Sequence, residues 1–155
     1  MRSGIGYDIH RLAAGRRLVL GGVAIEHPKG LVGHSDGDVL LHALMDALLG
    51  AANLGDLGRH FPSDDPAYAG ARSLELARRV SGLIRERGLR VSSLDATVIA
   101  EKPRLAPHVQ AMREAIAGAL GLDADRVSVK ATTNDGLGLI GNAEAIAALA
   151  IANLE

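Results

Sequence analysis

Two stretches of the chain carry aspartate and histidine at spacings that suit metal binding. In the first, Asp8 and His10 lie two residues apart where Ile5, Tyr7 and Ile9 alternate with small or polar residues. This alternation predicts a β-strand, on which both side chains point to the same face. They could therefore reach one metal ion together, although the wet end of an ordinary strand would show the same pattern.

The second stretch supplies a third candidate ligand, His42, in a segment that predicts an amphipathic helix. Asp38 follows Gly37 and precedes an apolar run, which is typical of a helix N-cap. Asp38, His42 and Asp46 are spaced four residues apart, so they lie near one helix face. Either carboxylate could orient the imidazole of His42. The alternative is a capped helix with a solvated polar edge.

Asp8, His10 and His42 together offer one carboxylate and two imidazoles. This ligand set suits Zn²⁺ or another divalent ion. Three protein ligands leave the fourth tetrahedral position open, which is the arrangement of catalytic rather than structural zinc sites. The spacing indicates that the three groups could bind a metal, and it leaves open whether they meet in space.

Another acidic candidate is Asp135, which follows Thr132 and Thr133 and precedes Gly136. A carboxylate beside hydroxyl groups and free turn amides could hold Mg²⁺ together with a phosphate. An ordinary turn with a self-bonding aspartate would have the same sequence.

Strands and helices alternate along the chain and must position these groups. The patterns predict strands at residues 2–10, 17–20, 23–25, 91–100 and 127–132, helices at 39–50, 73–87 and 107–120, and loops at 29–33 and 53–66. Residues 144–154 are ambiguous, because their alanine content favours a helix and their larger apolar residues fit neither period. The order predicts an α+β fold in one domain, residues 1–155: a two-layer sandwich of a mixed β-sheet with helices on one face.

Composition excludes several classes of protein. The chain has 155 residues and a net charge of −1, which gives no electrostatic case for binding nucleic acid or an anionic membrane. Cysteine is absent, so disulfides and thiolate metal sites are excluded. No targeting segment and no apolar run that could cross a bilayer is present, so we expect a cytoplasmic protein.

Several short motifs, in their shared order and spacing, resemble the 2-C-methyl-D-erythritol 2,4-cyclodiphosphate synthase family. They are Tyr7-Asp8-Ile9-His10, His34-Ser35-Asp36-Gly37-Asp38 with His42, Gly55-Asp56-Leu57-Gly58, Phe61-Pro62 and Lys130-Ala131-Thr132-Thr133. The resemblance runs over essentially the whole chain. It implies an enzyme that converts 4-diphosphocytidyl-2-C-methyl-D-erythritol 2-phosphate to the cyclic diphosphate and CMP, in the non-mevalonate route to isoprenoids.

The resemblance also implies roles for residues. Zinc or another divalent ion would be held by Asp8, His10 and His42, and Mg²⁺ or Mn²⁺ at the substrate diphosphate by Asp135. His34 and Thr133 match positions that stabilise the transition state. The positions that match substrate contacts, with Asp56 and Gly58 at the ribose, are Ser35, Asp56, Leu57, Gly58, Phe61, Pro62, Ala100, Lys102, Pro103, Arg104, Leu105, Ala106, Ala131 and Thr132.

Members of the family are homotrimers with active sites between neighbouring subunits, so the resemblance implies a homotrimer here. It also implies that the last segment is a strand in a sheet around the trimer axis. Three residues depart from the family pattern. Ser63 replaces a frequent aspartate in the acidic loop, and Leu139 and Asn142 replace phenylalanine and arginine beside an axial cavity for isoprenoid diphosphates. Arg2 could in principle supply the missing charge.

Two other functions explain part of the pattern. A zinc-dependent hydrolase, in which the open metal position activates water, accounts equally well for Asp8, His10 and His42. It does not account for the second acidic position or the nucleotide-type loops. A non-catalytic trimeric metal-binding module is the third reading. Incubation with the cytidylyl substrate separates all three, by cyclic product, hydrolysed product or no product.

Overall fold

A five-stranded mixed sheet forms one layer of the structure, a computed structural model that describes all 155 residues. The strands, in the spatial order β4-β1-β7-β5-β6, are β1 (Arg2–Ala14), β4 (Lys29–Leu31), β5 (Val91–Ile99), β6 (Val127–Thr132) and β7 (Ala145–Leu154). All neighbours are antiparallel except β5 and β6, which are parallel. A separate hairpin joins β2 (Leu18–Leu20) to β3 (Val23–Ile25), as the Gly21-Gly22 turn predicts.

Helices form the other layer. They are α1 (Val39–Ala51), α2 (Leu57–His60), α3 (Ser73–Glu86), α4 (Val109–Leu120) and α5 (Gly138–Gly141). Three-residue 3₁₀ helices occur at Pro66–Tyr68, Ala106–His108 and Ala124–Arg126. The predicted α+β class with a mixed sheet is confirmed, while packing as a trimer stays a prediction. No helix has the length and apolarity needed to span a membrane.

Helix α1 lies directly on β1 and β7 because β1 has glycine where the two elements touch. A Cβ atom at Gly4 would lie 2.1 Å from the carbonyl oxygen of Ala47, and one at Gly6 would lie 1.9 Å from that of Ala43. Gly4 and Gly6 share a strand face with Asp8 and His10. The glycines therefore bring the helix close enough for its side chains to meet those two residues.

The core consists of aliphatic side chains around α1. Between Val39 and Leu49 every residue of α1 is buried except His42 and Asp46, which are half-buried. A helix that is apolar nearly all round is enclosed on most sides, here by the sheet and by α3. The polar groups of α1 are thus concentrated at two positions.

Asp38 joins the hairpin to the start of α1. Its carboxylate accepts hydrogen bonds from the backbone N–H groups of Gly21, Gly22 and Leu41, at 2.9, 2.7 and 3.1 Å. The predicted N-cap is therefore confirmed. Burial raises the pKa of Asp38 to about 6, against the lowering effect of these three donors.

Two element predictions needed correction, and a third, which rested on the resemblance, is confirmed. Residues 29–31, predicted as a loop, form the edge strand β4, because they pair with Leu12–Ala14 at the extended end of β1. The 53–66 segment is not all loop, since it contains α2 with Asp56 as its N-cap. The last segment is a strand in the middle of the sheet, as the resemblance implied and helix propensity did not.

Candidate functional site

Asp8, His10 and His42 converge on one point between β1 and α1. The Oδ2 atom of Asp8 lies 2.8 Å from Nε2 of His10 and 3.1 Å from Nδ1 of His42. The two imidazole nitrogens are 3.2 Å apart. These are the only three residues of the chain that form such a cluster of histidine and acidic side chains. The predicted convergence of the three groups is therefore confirmed.

The donor set fits a small divalent ion. Tetrahedral ligands at about 2.1 Å from zinc lie roughly 3.4 Å from one another, close to the 2.8–3.2 Å separations of the three donor atoms. Nδ1 of His10 donates to the carbonyl oxygen of Val32 at 2.5 Å, so Nε2 is the ring nitrogen that faces the cluster. A modest outward movement of the three groups would admit the ion.

The charges of Asp8 and His10 stabilise one another. Burial alone would raise the pKa of Asp8, but its hydrogen bonds to His10 and His42 outweigh burial and hold that pKa well below its usual range. Burial lowers the pKa of His10, and the contact with Asp8 outweighs it, so that the pKa is raised. A carboxylate that stays ionised is the form that binds a metal ion.

Neither carboxylate predicted to orient His42 does so. Asp38 is occupied by the hairpin and its own helix, and Asp46 accepts from the N–H of Leu57 at 2.7 Å. Burial raises the pKa of Asp46. The partners of His42 Nε2 are instead the hydroxyl oxygens of Ser35 and Ser73, at 3.0 and 3.2 Å. Asp46 therefore holds the start of α2 rather than the imidazole.

A cavity of about 210 Å³ opens beside the three ligands. Five residues predicted from the resemblance line it, namely His34, Ser35, Leu57, Gly58 and Phe61. The ring of His34 is held by a contact of Nε2 with the carbonyl oxygen of Asp65 at 3.1 Å. Ser63, Tyr68 and Leu76 also line this cavity. Asp56 and Pro62 are sequence neighbours of the lining residues Leu57 and Phe61 but do not line the cavity themselves. Asp56 instead caps α2, where its carboxylate accepts a hydrogen bond from the N–H of Arg59.

A second cavity, of about 760 Å³, contains the other predicted substrate contacts. These are Ala100, Lys102, Pro103, Arg104, Leu105, Ala106, Ala131, Thr132 and Thr133. The carboxyl ends of the parallel strands β5 and β6 bring the two runs together. The sequence analysis missed His27, Pro28 and Glu101, which also line this cavity. His27 and Pro28 come from the distant turn after β3, for which the sequence carries no signal.

Asp135 lies in the exposed turn after β6, apart from the ligand cluster. It has a left-handed backbone with φ of 50°, and its carboxylate accepts from the hydroxyl of Thr133 at 3.3 Å. The carboxylate of Glu101 accepts from the N–H groups of Asn134 and Gly136, both at 3.4 Å. The two cavities share no lining residue. One chain thus carries two separate halves of the predicted site.

Comparison with known proteins extends over the whole chain. Residues 1–155 match the model of the YgbB family. Two curated proteins named 2-C-methyl-D-erythritol 2,4-cyclodiphosphate synthase are similar to it. The one from Alkaliphilus oremlandii is 58% identical over 99% of this chain and 98% of its own. The one from Symbiobacterium thermophilum is 60% identical over 98% of this chain and 97% of its own.

A solved structure of a synthase with the same name, in its CDP-bound form, is also similar. It has a TM-score of 0.91 at 37% identity, and the match covers 99% of this chain and all of that one. Fold, length and sequence therefore agree across these comparisons.

Proposed function

The chain belongs to the YgbB family, and from that membership we infer that it converts 4-diphosphocytidyl-2-C-methyl-D-erythritol 2-phosphate to 2-C-methyl-D-erythritol 2,4-cyclodiphosphate, with release of CMP. The observation that carries this function is the convergence of Asp8, His10 and His42 in a chain about as long as the synthases it matches. All 155 residues form the synthase domain of this proposal.

In the proposed reaction, an oxygen of the 2-phosphate attacks the β-phosphorus of the same molecule. A phosphorus–oxygen bond forms and closes the ring, while the bond from the β-phosphorus to the oxygen it shares with the α-phosphate breaks. That oxygen leaves as part of CMP. No general base is needed, because a phosphate is already ionised near neutral pH. The reaction is intramolecular, so positioning supplies much of the catalysis.

Asp8, His10 and His42 would hold the divalent ion, for which zinc is the best match to the donor set. Asp135 would hold Mg²⁺ or Mn²⁺ jointly with the substrate diphosphate, since magnesium is usually bound through both protein and phosphate oxygens. Bound at these positions, divalent ions would neutralise the diphosphate charge and polarise the phosphorus. This makes the enzyme a metal-dependent, cyclising phosphorus–oxygen lyase.

The residues of the smaller cavity position the methylerythritol phosphate. His34, held through Nε2 by the Asp65 carbonyl, presents its ring to the cavity beside Ser35. Leu57, Gly58 and Phe61 form part of the wall of this cavity. Asp56 and Pro62 belong to the same loop, and the resemblance assigns Asp56 and Gly58 to the ribose of the substrate.

The residues of the larger cavity bind the cytidine diphosphate moiety. Its volume of about 760 Å³ suits a nucleotide, and the backbone of residues 100–106 and 131–132 frames the base. Lys102 and Arg104 are the cationic groups on its rim. Thr133 lies where the nucleotide meets the diphosphate and stabilises charge there together with the ion at Asp135.

A homotrimer unites the two halves of the site. The sheet face away from the helices exposes Ile5, Tyr7, Ile9, Leu149 and Ile151, each at least 40% accessible. Contiguous apolar surface of this kind marks an interaction site. In the trimer, the metal ligands of one subunit face the residue 100–106 and 130–133 segments of its neighbour. The enzyme acts in the cytoplasm on a small molecule, without nucleic acid or a membrane.

Product analysis tests this function. The purified protein is incubated with the cytidylyl substrate, Zn²⁺ and Mg²⁺, CMP release is followed, and the phosphorus products are identified by ³¹P NMR. We expect the cyclic diphosphate in a one-to-one ratio with CMP, and no product from His42→Ala. A linear methylerythritol phosphate product would support the hydrolase instead, and a bound metal without turnover would support a binding module.

A further inference from the structure

The imidazole of His42 must adopt one tautomer for the proposed metal site to work. Its Nδ1 atom faces Asp8 and His10, at 3.1 and 3.2 Å. Nδ1 must therefore carry a lone pair, and in a neutral imidazole the proton then resides on Nε2. An Nε2–H group in a half-buried ring needs an acceptor, and the only candidates are the hydroxyl oxygens of Ser35 and Ser73.

A hydroxyl group can donate or accept, so a serine alone does not select the tautomer. The Ser35 hydroxyl is free to act in either way. Its oxygen accepts from the N–H of Gly37 at 3.3 Å, and no carboxylate captures its proton. If Ser35 donated to Nε2 of His42, the proton would have to sit on Nδ1, where it would block the metal.

Ser73 differs because the direction of its hydroxyl is fixed. The hydroxyl lies 2.5 Å from Oδ1 of Asp36, and an ionised carboxylate only accepts hydrogen bonds. The Ser73 proton is therefore directed to Asp36, and the Ser73 oxygen presents lone pairs to His42 at 3.2 Å. The second carboxylate oxygen of Asp36 accepts from the backbone N–H of Ser73 at 2.9 Å, so both groups are held together.

Burial protects this arrangement from water. Ser73 is fully buried, and the side chain of His42 is only 11% exposed. Ser73 is the first residue of α3, and the buried Leu76 and Ala77 of the same helix fix its position against the core.

We propose that Asp36 and Ser73 are positioning residues that hold His42 in its metal-binding tautomer, through the hydrogen-bonded chain Asp36–Ser73–His42. This inference rests on the metal site of the proposed function and adds two residues to it. The order of effects is fixed. The Ser73 hydroxyl donates its hydrogen bond to Asp36. The Ser73 oxygen then accepts a hydrogen bond from Nε2–H of His42, and Nδ1 of His42 is left free for the ion. Partners of this kind usually change metal affinity by roughly 10- to 100-fold.

Ser73→Ala isolates the hydroxyl. The backbone N–H of residue 73 stays in place, so the contact with Asp36 at the start of α3 is preserved. Ser35→Ala is the matched control, because it also removes a hydroxyl at about the same distance from Nε2 but one that no carboxylate orients. Asp36→Asn is a second variant, which keeps the shape of the side chain and removes its charge.

Two readouts test the inference. Zn²⁺ affinity is measured by competition with a chromophoric chelator, and the Nε2–H proton of His42 is followed by ¹⁵N–¹H NMR in the Zn²⁺-loaded protein. In the unmodified protein we expect this proton to exchange slowly with water, because it is donated to the buried Ser73 oxygen. Ser73→Ala should speed its exchange and lower Zn²⁺ affinity roughly 10- to 100-fold. Asp36→Asn should act in the same direction and Ser35→Ala less than either, with urea unfolding confirming that each variant is folded.

The inference is overturned if Ser73→Ala leaves both the exchange of the Nε2–H proton and the Zn²⁺ affinity unchanged, or if Ser35→Ala has the larger effect. If Ser73→Ala does not fold, Asp36→Asn replaces it in the test. It is expected to lower Zn²⁺ affinity in the same way, and an unchanged affinity would overturn the inference. Failure of the proposed metal site gives a different result, because the unmodified protein would then not bind Zn²⁺ at all.

Discussion

Asp135 is the acidic residue of the proposed site that stands apart from the three clustered ligands. Its turn is exposed, and its carboxylate has only the Thr133 hydroxyl as a partner. An isolated carboxylate of this kind does not hold Mg²⁺ alone, because magnesium keeps several waters and binds through substrate phosphates as well. Asp135 is therefore expected to bind its ion only when the nucleotide diphosphate is present.

Asp135→Asn tests this role with little disturbance, because asparagine tolerates the left-handed backbone of this position. We expect kcat to fall roughly 100-fold or more, since a group that stabilises charge in the transition state is lost. Zinc content, measured by elemental analysis, should stay at one per chain. Full activity of the variant across a magnesium titration would contradict the role.

The three candidate metal ligands could be predicted from the sequence because each spacing is local. A strand repeats every two residues, which places Asp8 beside His10, and a helix start after Asp38 places His42 one turn into α1. Asp36 and Ser73 were missed as partners of His42, although Asp36 lies in a recognised motif. They are 37 residues apart, and only the packing of α3 brings them together. No periodicity in the sequence carries that information.

At the scale of elements, the contact between α1 and β1 determines whether the site exists. Gly6→Ala would place a Cβ atom 1.9 Å from the Ala43 carbonyl oxygen, so the helix must move away from the strand. We expect a loss of roughly 1–3 kcal/mol in the free energy of unfolding. Zn²⁺ affinity should fall as well, because His42 moves with α1. Urea unfolding and chelator competition measure the two effects.

Gly82→Ala is the matched control for this substitution. Gly82 lies inside α3, and a Cβ atom there would have no neighbour within 4 Å. Alanine is favoured over glycine in a helix, so this variant should gain about 0.5–1 kcal/mol and keep its Zn²⁺ affinity. Equal stability of the Gly6→Ala and unmodified proteins would show that the close packing of α1 on β1 is not needed.

Strand β7 shows why some elements were hard to predict. Its helix-facing positions are Ile146, Ala148, Ala150, Ala152 and Leu154, and all are buried. Because α1 packs closely against β7, most of these positions need small side chains. Positions 145 and 147, which point the other way, are also alanine. The alternation of apolar and polar residues that is typical of a strand is therefore weak, and the alanine-rich composition favours a helix instead. Edge strand β4 was missed because a three-residue element is too short to show a period.

At the scale of the whole molecule, the exposed apolar face of the sheet is the expected subunit interface. Ile5 and Ile151 are paired across β1 and β7 on this face, at 68% and 43% exposure. Ile151→Glu would bury a charge in the interface, so we expect it to dissociate the trimer and abolish turnover. Light scattering measures the assembly.

Gly118→Glu adds the same charge to the outer surface of α4, where a Cβ atom has no neighbour within 4 Å. This control should remain trimeric and active. A trimeric and active Ile151→Glu variant would show that another surface forms the interface.

A cavity beside Leu139 lies where the resemblance implies a departure from the family pattern. It has a volume of about 210 Å³ and is lined by Ile9, Arg11, Leu139, Glu144 and Ala145. Arg2 does not reach it, because Arg2 pairs with Leu154 at the far end of β1, whereas Arg11 pairs with Ala145. Arg11 is therefore the nearby cation, and Glu144 offsets its charge.

We expect weak binding of isoprenoid diphosphates at this cavity, because Asn142 cannot neutralise a diphosphate. Asn142→Arg should tighten the binding of geranyl diphosphate roughly tenfold or more, which corresponds to one charge-assisted hydrogen bond. Calorimetric titration of both proteins measures the difference, and CMP release should be the same in both. Tight binding by the unmodified protein, with no gain in the variant, would show that position 142 does not control the cavity.

Neither the sequence patterns nor a single chain joins the two halves of the proposed site. His10 and His42 line one cavity and residues 100–106 line another, with no residue in common. Local patterns located each half, but in the proposed trimer their union needs a neighbouring subunit, about which one chain carries only indirect information.

The central claim is that one active site takes its metal ligands from one subunit and Thr133 and Asp135 from the next. Co-expression of two inactive variants, His42→Ala and Asp135→Asn with different affinity tags, tests it most directly. A trimer that contains both variants has both halves intact at one of its three sites. We predict that doubly tagged trimers release CMP at about a third of the unmodified rate. Trimers that contain both variants and show no more activity than either variant alone would contradict the claim.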